Sequence, residues 1–216
     1  GANGIQLTSG GTITQTAGVL TTPGAVSGPD QSGGTSPTYA NPSALGAISL
    51  TGNNVIGSVG PFYLNNASSG AFSLNDTTGG LTLTGPIKTS TGNVTLTTNG
   101  GALNLATYGI SAGEYASGGA NIALTGRGII QAAGSINATG GSVGTGPSTG
   151  TSGGTITLTG HDGTAAGDIV LSGTVQTASA SARPTATHRA IRARAQFFIL
   201  FPCRATPGTT PKVREC

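Results

Sequence analysis

Charged and aromatic residues are scarce in this chain of 216 residues. Only 7% of the residues are charged, against roughly 25% in an average soluble domain, and only 4% are aromatic. Six carboxylates and two histidines supply little for acid–base catalysis. No apolar run approaches the ~18 residues of a membrane-spanning helix, which argues against a membrane bundle. The 39 glycines do not recur at every third position, which excludes collagen.

The few charges are divided unevenly along the chain. Residues 1–182 hold two basic and five acidic side chains, whereas residues 183–216 hold seven basic side chains and one acidic. The net charge of +3 therefore describes neither part, and the basic pI does not predict a nucleic-acid partner. Both cysteines, Cys203 and Cys216, lie in the second part. The first part accordingly has no disulfide framework and no thiolate metal site, which is compatible with bacterial export.

Short segments that alternate apolar and polar residues recur along residues 1–182. Such alternation, rich in Thr and bounded by Gly, Asn or Ser, predicts strands with one buried face. The clearest segments begin at Ile5, Ile48, Phe72, Leu81, Val94, Leu103, Ile122, Ile156 and Ile169. The spacing of an amphipathic helix is absent before residue 189.

The distances between these segments predict a stacked repeat. Phe72 and Val94 are 22 residues apart, as are Leu81 and Leu103, whereas Leu103 and Ile122 are 19 apart and Ile136 and Ile156 are 20 apart. Steps of nine residues lie between them and indicate at least two strands per coil. We therefore predict an all-β fold, a parallel β-helix of about 20 residues per coil. A β-sandwich is the alternative, although its core would ordinarily hold more aromatic rings.

Two stretches lack the apolar pairs of the predicted strands. Residues 23–44 and 137–154 are dense in Gly, Ser, Pro and Thr, and we interpret them as loops inserted between coils. Loops on a rigid scaffold commonly carry binding contacts, so we expect these two to present polar groups to a partner.

Several repeats resemble those of large bacterial exoproteins. Residues 92–97 (GNVTLT), 153–160 (GGTITLTG) and 167–173 (GDIVLSG) resemble the repeats of filamentous-haemagglutinin-like adhesins of two-partner secretion, and next those of autotransporter passengers. The resemblance implies a right-handed parallel β-helix, secretion to the bacterial cell surface with an outer-membrane partner, and adhesion or biofilm attachment. It implies partners among the glycans or proteins of host or neighbouring cell surfaces. We expect the chain to be a segment of a longer repeat array.

The composition changes abruptly after residue 182. Residues 183–216 are rich in Arg, Ala and Pro and contain the short apolar run 197–201. We interpret this tail as frameshifted or disordered sequence. The alternative is a genuine basic segment that caps the solenoid or touches a membrane surface without inserting into it.

Few residues qualify as catalytic or metal-binding. His161 and Asp162 form the only neighbouring His–carboxylate pair, which we interpret as a solvated turn. Asp162 and Asp168 are the only close pair of acids, whereas a polysaccharide-cleaving enzyme needs two carboxylates facing one groove. We therefore predict no catalytic residue, no metal site and no cofactor, and leave the binding residues open. A β-helix enzyme remains an alternative, with a groove lined by Asp162, Asp168 and a basic residue as its signature.

Threonine pairs suggest a further alternative. Thr82/Thr84, Thr95/Thr97 and Thr155/Thr157/Thr159 would point outward from strands, as threonines do in ice-binding solenoids. In sequence order the ladder is interrupted by Ser73/Asn75, Asn104/Ala106 and Ala123/Thr125. We therefore attribute these threonines to ordinary strand preference on a solvent face, with ice binding as an alternative.

Overall fold

The computed structural model describes residues 3–29, 46–64, 70–113, 119–140 and 153–177. These ranges contain 17 β-strands and no helix. The strands are β1 (Ile5–Gln6), β2 (Ile13–Thr14), β3 (Thr21–Ser27), β4 (Ile48–Val59), β5 (Phe62–Leu64), β6 (Phe72–Asp76), β7 (Leu81–Leu83), β8 (Ile87–Thr89), β9 (Val94–Thr98), β10 (Leu103–Ala106), β11 (Ile110–Ser111), β12 (Ile122–Thr125), β13 (Ile129–Gln131), β14 (Ser135–Asn137), β15 (Ile156–Thr159), β16 (Ile169–Leu171) and β17 (Thr174–Gln176). Within the same ranges, no helix is long and apolar enough to cross a membrane.

The fold is all-β and solenoid-like, because all pairings between these strands are parallel. They form a sheet of twelve strands and a sheet of five. The first part of β4 pairs with β2 and β6, and its second part pairs with β3 and β7, so the larger sheet has two faces. Face 1 continues through β9, β12 and β15, face 2 through β10, β13 and β16, and face 3 is β5, β8, β11, β14 and β17. Parallel pairing does not fit the antiparallel sheets of a β-sandwich.

The register confirms part of the predicted spacing and corrects the rest. Phe72 pairs with Val94 and Leu81 with Leu103, as the separation of 22 residues predicts. Leu103, however, pairs with Ile129 rather than lying above Ile122, which is on face 1. A coil of about 20 residues is therefore too short for these pairs. The shorter separations arose from comparing strands of different faces, since each coil has three strands and three corners.

Aliphatic side chains stacked from coil to coil form the core. On face 1, Val94 and Ile122 are partners above Phe72, and all three are 0% exposed. Face 3 contributes an equivalent ladder of buried side chains, namely Phe62, Ile87, Ile110 and Ile136. Burial of each such side chain favours folding by about 1.5–3 kcal/mol. The rings of Phe62 and Phe72 meet with centroids 4.8 Å apart, so two buried rings fit side by side.

The first predicted loop begins later than its sequence suggested. Strand β3 runs through Ser27, so residues 23–27 are strand although we predicted loop from residue 23. Pro23 and Gly24 misled the prediction because they lie at a register shift between Thr22 and Ala25, where a strand tolerates Pro. Residues 30–45 and 141–152, which hold most of the two predicted loops, lie outside the described residues, as does the tail 183–216.

A ladder of buried polar side chains lies where face 1 turns into face 2. Asn54, Asp76 and Thr98 are register partners in three successive coils and are each 0% exposed. The Thr98 hydroxyl donates to Asp76 Oδ2 at 2.9 Å, and the Ile56 N–H donates to Asp76 Oδ1 at 3.0 Å. Asn54 Nδ2 donates to the Leu50 carbonyl at 2.9 Å. These bonds satisfy polar groups that burial would otherwise penalise.

Candidate functional site

A short hairpin projects where face 1 passes into face 2 in the last described coil. In the preceding coil residues 126–128 alone connect β12 to β13, whereas residues 160–168 connect β15 to β16. His161 and Ala166 form an antiparallel bridge, and the Gly167 N–H donates to the Gly160 carbonyl at 2.9 Å. Gly163 has a φ of 88°, which glycine adopts without strain at the tip of the turn. The longer connection thus adds a wall beside face 2.

Asp162 fixes this hairpin to the neighbouring coils. Its Oδ1 accepts hydrogen bonds from the Thr164 hydroxyl at 2.7 Å, the Thr164 N–H at 2.9 Å and the Ala165 N–H at 2.8 Å. Its Oδ2 accepts from the Gly100 N–H at 2.7 Å and from Arg127 Nε at 2.8 Å. The Asp162 side chain is 0% exposed, while that of Arg127 is 42% exposed. His161 and Asp162 lie in a turn between strands, as we predicted, but the Asp162 carboxylate is not solvated, because both of its oxygens accept hydrogen bonds within the protein.

These hydrogen bonds also determine the protonation state of Asp162. The Thr164 hydroxyl, followed by the Gly100 N–H, holds the pKa of Asp162 far below its usual range. A carboxylate with so low a pKa is a poor general base at neutral pH. His161 Nδ1 accepts the Gly163 N–H at 2.9 Å, so this nitrogen too serves the turn. The geometry gives the pair a structural role in shaping the hairpin.

A shallow depression of about 370 Å³ lies between the hairpin and face 2. Its lining includes the apolar side chains of Ala102, Ile130, Ala166 and Val170 and the charged residues Arg127 and Asp168. Ile130 and Val170 are register partners on the outside of face 2, 42% and 49% exposed. We call this site the Arg127 depression. Its volume lies within the range of small-molecule sites, and it combines an apolar floor with a few polar groups.

The Arg127 depression differs from the groove that we associated with an enzyme. Asp168 and Arg127 line it, but Asp162 does not, since that carboxylate is unexposed and is bonded to Arg127 and Gly100. Two carboxylates therefore do not face the same space there, as glycoside hydrolysis would require. Among the described residues, no group of three or more His, Cys, Asp or Glu side chains could hold a metal ion.

Arg127 is the functional candidate that the sequence did not reveal. Arg127 is 35 residues from Asp162, and only the register of successive coils brings the two together. A signal was nevertheless present, because Arg127 is one of just two basic residues in residues 1–182, the other being Lys88. The predicted binding loops cannot be compared with this site, because most of their residues lie outside the described ranges.

Comparison with known proteins identifies no relative of this chain. The chain matches no protein-family model, no curated protein and no solved structure.

Proposed function

We propose that this chain is a structural and adhesive segment of a large bacterial exoprotein of the filamentous-haemagglutinin-like or autotransporter-passenger type. In this proposal the coils form a right-handed parallel β-helix that is secreted to the cell surface with the help of an outer-membrane partner. The segment spaces and displays binding surfaces, and it attaches to glycans or proteins of a host or neighbouring cell. It performs no chemical reaction.

The stacking of coils is the observation that carries this proposal. From β6 to β15, inward Leu, Ile, Val and Phe side chains repeat in register on face 1, and buried aliphatic ladders accompany them on the other faces. A scaffold of this kind is rigid because each coil is packed against its neighbours. Rigid scaffolds suit display, since the partner's contacts are then positioned without an entropic cost of ordering.

The Arg127 depression is a part of the described surface that suits contact with a partner. Ile130 and Val170 offer apolar surface, and the guanidinium of Arg127 and the carboxylate of Asp168 offer hydrogen bonds beside it. The Arg127 guanidinium is held in place by Asp162 Oδ2 and, through Nη2, by the Thr164 hydroxyl at 3.0 Å. A preorganised group of this kind loses little entropy when it binds.

A cell-binding assay tests the proposal. Fluorescently labelled full-length chain is expected to bind to epithelial or bacterial cells in a saturable manner. Ile130→Asp should weaken binding at least about tenfold, or ~1.4 kcal/mol, because it places a charge on the apolar floor. Val19→Asp is the matched control, since Val19 is 54% exposed and is not part of the depression.

Three results would contradict the proposal. If the chain binds to neither kind of cell, the proposed adhesive function is wrong. If Ile130→Asp and Val19→Asp lose the same amount of binding, the Arg127 depression is not the contact surface. Release of reducing ends from a bacterial or plant polysaccharide by the wild-type chain would instead favour a β-helix enzyme.

A further inference from the structure

The register sorts the outward threonines onto different faces. On face 1, Ser73, Thr95, Ala123 and Thr157 are successive partners, and so are Asn75, Thr97, Thr125 and Thr159. Thr82 and Asn104 belong to face 2, where the next partners are Ile130 and Val170. Of the three interruptions seen in sequence order, this sorting removes only Asn104/Ala106, whereas Ser73, Asn75 and Ala123 remain on face 1. We call the eight face-1 positions the hydroxyl array.

The hydroxyl array is unusually regular. The pairings of β6 with β9, β9 with β12 and β12 with β15 contain no register shift. Face 2, in contrast, has a shift between Asn104 and Ala106. Neighbouring parallel strands lie about 4.8 Å apart and alternate residues of a strand about 6.6 Å apart, so the array forms a two-dimensional grid with these spacings.

Hydroxyl groups predominate in the array. Six of its eight side chains carry a hydroxyl, and five of these, on Thr95, Thr97, Thr125, Thr157 and Thr159, also carry a methyl group. Within the part of the chain that the structure describes, these five hydroxyls have no hydrogen bond to a protein group, so they remain available to an outside partner. The charged side chains of the described ranges lie elsewhere: Asp76 is buried, Lys88 is on face 3, and the others are at the hairpin or the Arg127 depression.

We propose that the hydroxyl array binds an ordered water lattice, that is, the surface of an ice crystal. Ice is uncharged and presents oxygen atoms on a grid with repeats similar in size to those of the array, so a neutral grid of hydroxyls complements it. Threonine suits this partner because its hydroxyl joins the lattice while its methyl group is covered by ordered water. This function is independent of the proposed adhesive contact, which uses face 2.

A sugar polymer suits the hydroxyl array less well. Sugar rings are commonly bound by aromatic side chains and by planar amide, carboxylate or guanidinium groups, and the array contains only Asn75 of these. The Asn75 amide is already engaged, because its Nδ2 donates to the Gly52 carbonyl at 3.1 Å.

Inhibition of ice recrystallisation by the full-length chain tests the proposal, with thermal hysteresis as a second measurement. The wild-type chain is expected to inhibit crystal growth. Thr97→Lys and Thr125→Lys should abolish this inhibition, because a lysine keeps its own hydration shell and holds the lattice away. Thr82→Lys is the matched control, a Thr→Lys change on face 2, and should retain wild-type inhibition. Circular dichroism verifies that all variants are folded.

Conservative variants separate the array from a general effect of charge. Thr97→Ser removes only the methyl group, and Thr97→Val removes only the hydroxyl, so both should lose part of the inhibition. An inactive wild-type chain, or equal loss in Thr82→Lys and Thr97→Lys, would overturn the proposal. Retention of cell binding by Thr97→Lys is expected, and its loss would indicate that the array binds a cell-surface polymer instead of ice.

Discussion

Asp76 is an acid that lies in the interior of the coils, 0% exposed. Burial raises the pKa of Asp76, although the hydrogen bonds from Ile56 and Thr98 act in the opposite direction. The folded chain therefore binds a proton at Asp76 more readily than the unfolded chain does. This contribution to stability is fully present below the unfolded pKa near 3.9 and is lost as the pH rises through the folded pKa.

Asp76→Asn should remove this dependence on pH. The Asn Oδ1 can still accept the Ile56 N–H, and its Nδ2 can donate to the Thr98 hydroxyl, so the packing is retained. Urea unfolding between pH 4 and 7 measures the effect as the difference between wild type and variant. The difference is needed because Asp162, whose pKa is lowered, changes stability with the opposite sign. We expect the free energy of unfolding of the variant to increase relative to that of wild type as the pH rises. A difference that does not depend on pH would contradict this account.

Asp76→Ala, in contrast to Asp76→Asn, removes the hydrogen-bond acceptor altogether. It leaves the Ile56 N–H and the Thr98 hydroxyl buried without an acceptor, so its free energy of unfolding should be about 1–3 kcal/mol lower than that of Asp76→Asn at every pH, since neither variant titrates at this position. A smaller loss than that of Asp76→Asn at neutral pH would mean that the ladder contributes no net stability.

At the scale of the elements, the corners limit how closely the coils approach. A Cβ on Gly92, at the corner between face 3 and face 1, would lie 2.3 Å from the Ala71 nitrogen and 2.4 Å from the Gly70 carbonyl carbon of the preceding coil. On Gly57, within β4, a Cβ would meet nothing within 4 Å. Gly92→Ala should therefore cost about 1–3 kcal/mol through overpacking.

Gly57→Ala is the matched substitution in open space. It should be neutral or stabilise the chain by about 0.4–1 kcal/mol, because alanine restricts the unfolded chain more than glycine does. Thermal unfolding followed by circular dichroism compares the two variants. Equal effects of the two substitutions on the melting temperature would contradict the idea that the close approach of the coils requires glycine at position 92.

The strands themselves could be predicted from the sequence, but the way they stack could not. Alternation marked β6, β7, β9 and β10 correctly, because each has a buried and a half-buried side. Strands such as β11, of two residues, are too short to show any period. The connection between β11 and β12 is longer than that between β8 and β9, which shifts the phase of the repeat and made Leu103 and Ile122 look equivalent.

The Arg127 depression could not be predicted for a related reason. Its two walls come from successive coils, and the contact between Arg127 and Asp162 exists only because the hairpin folds back over the shorter connection below it. The local sequence around Arg127 or Asp162 does not indicate how successive coils align. The same holds for the hydroxyl array, whose members are spread over residues 73–159 and become neighbours only through the register of four strands.

At the scale of the whole molecule, stability should reside in the stack of coils. The buried apolar residues extend from Val26 to Ala138, and each coil contacts mainly its neighbours, so the free energy of folding is approximately a sum over coils. Residues 183–216 carry most of the basic charge and lie outside the described residues. Beyond Ala138, Ile169, Leu171 and Val175 are 39% to 42% exposed, so the last described coil adds little buried surface.

Removal of residues 183–216 should accordingly leave the β-sheet signal in circular dichroism unchanged. The melting temperature should shift by less than about 2–4 °C, the change that 1 kcal/mol produces in a protein of this size. Wild type and the 1–182 fragment are compared at low and high salt, because the tail's positive charge could contribute only a salt-sensitive attraction to the acidic remainder. A larger, salt-independent fall in melting temperature would mean that the tail stabilises the fold by more than its charge. In that case residues 183–216 are a genuine cap rather than frameshifted sequence.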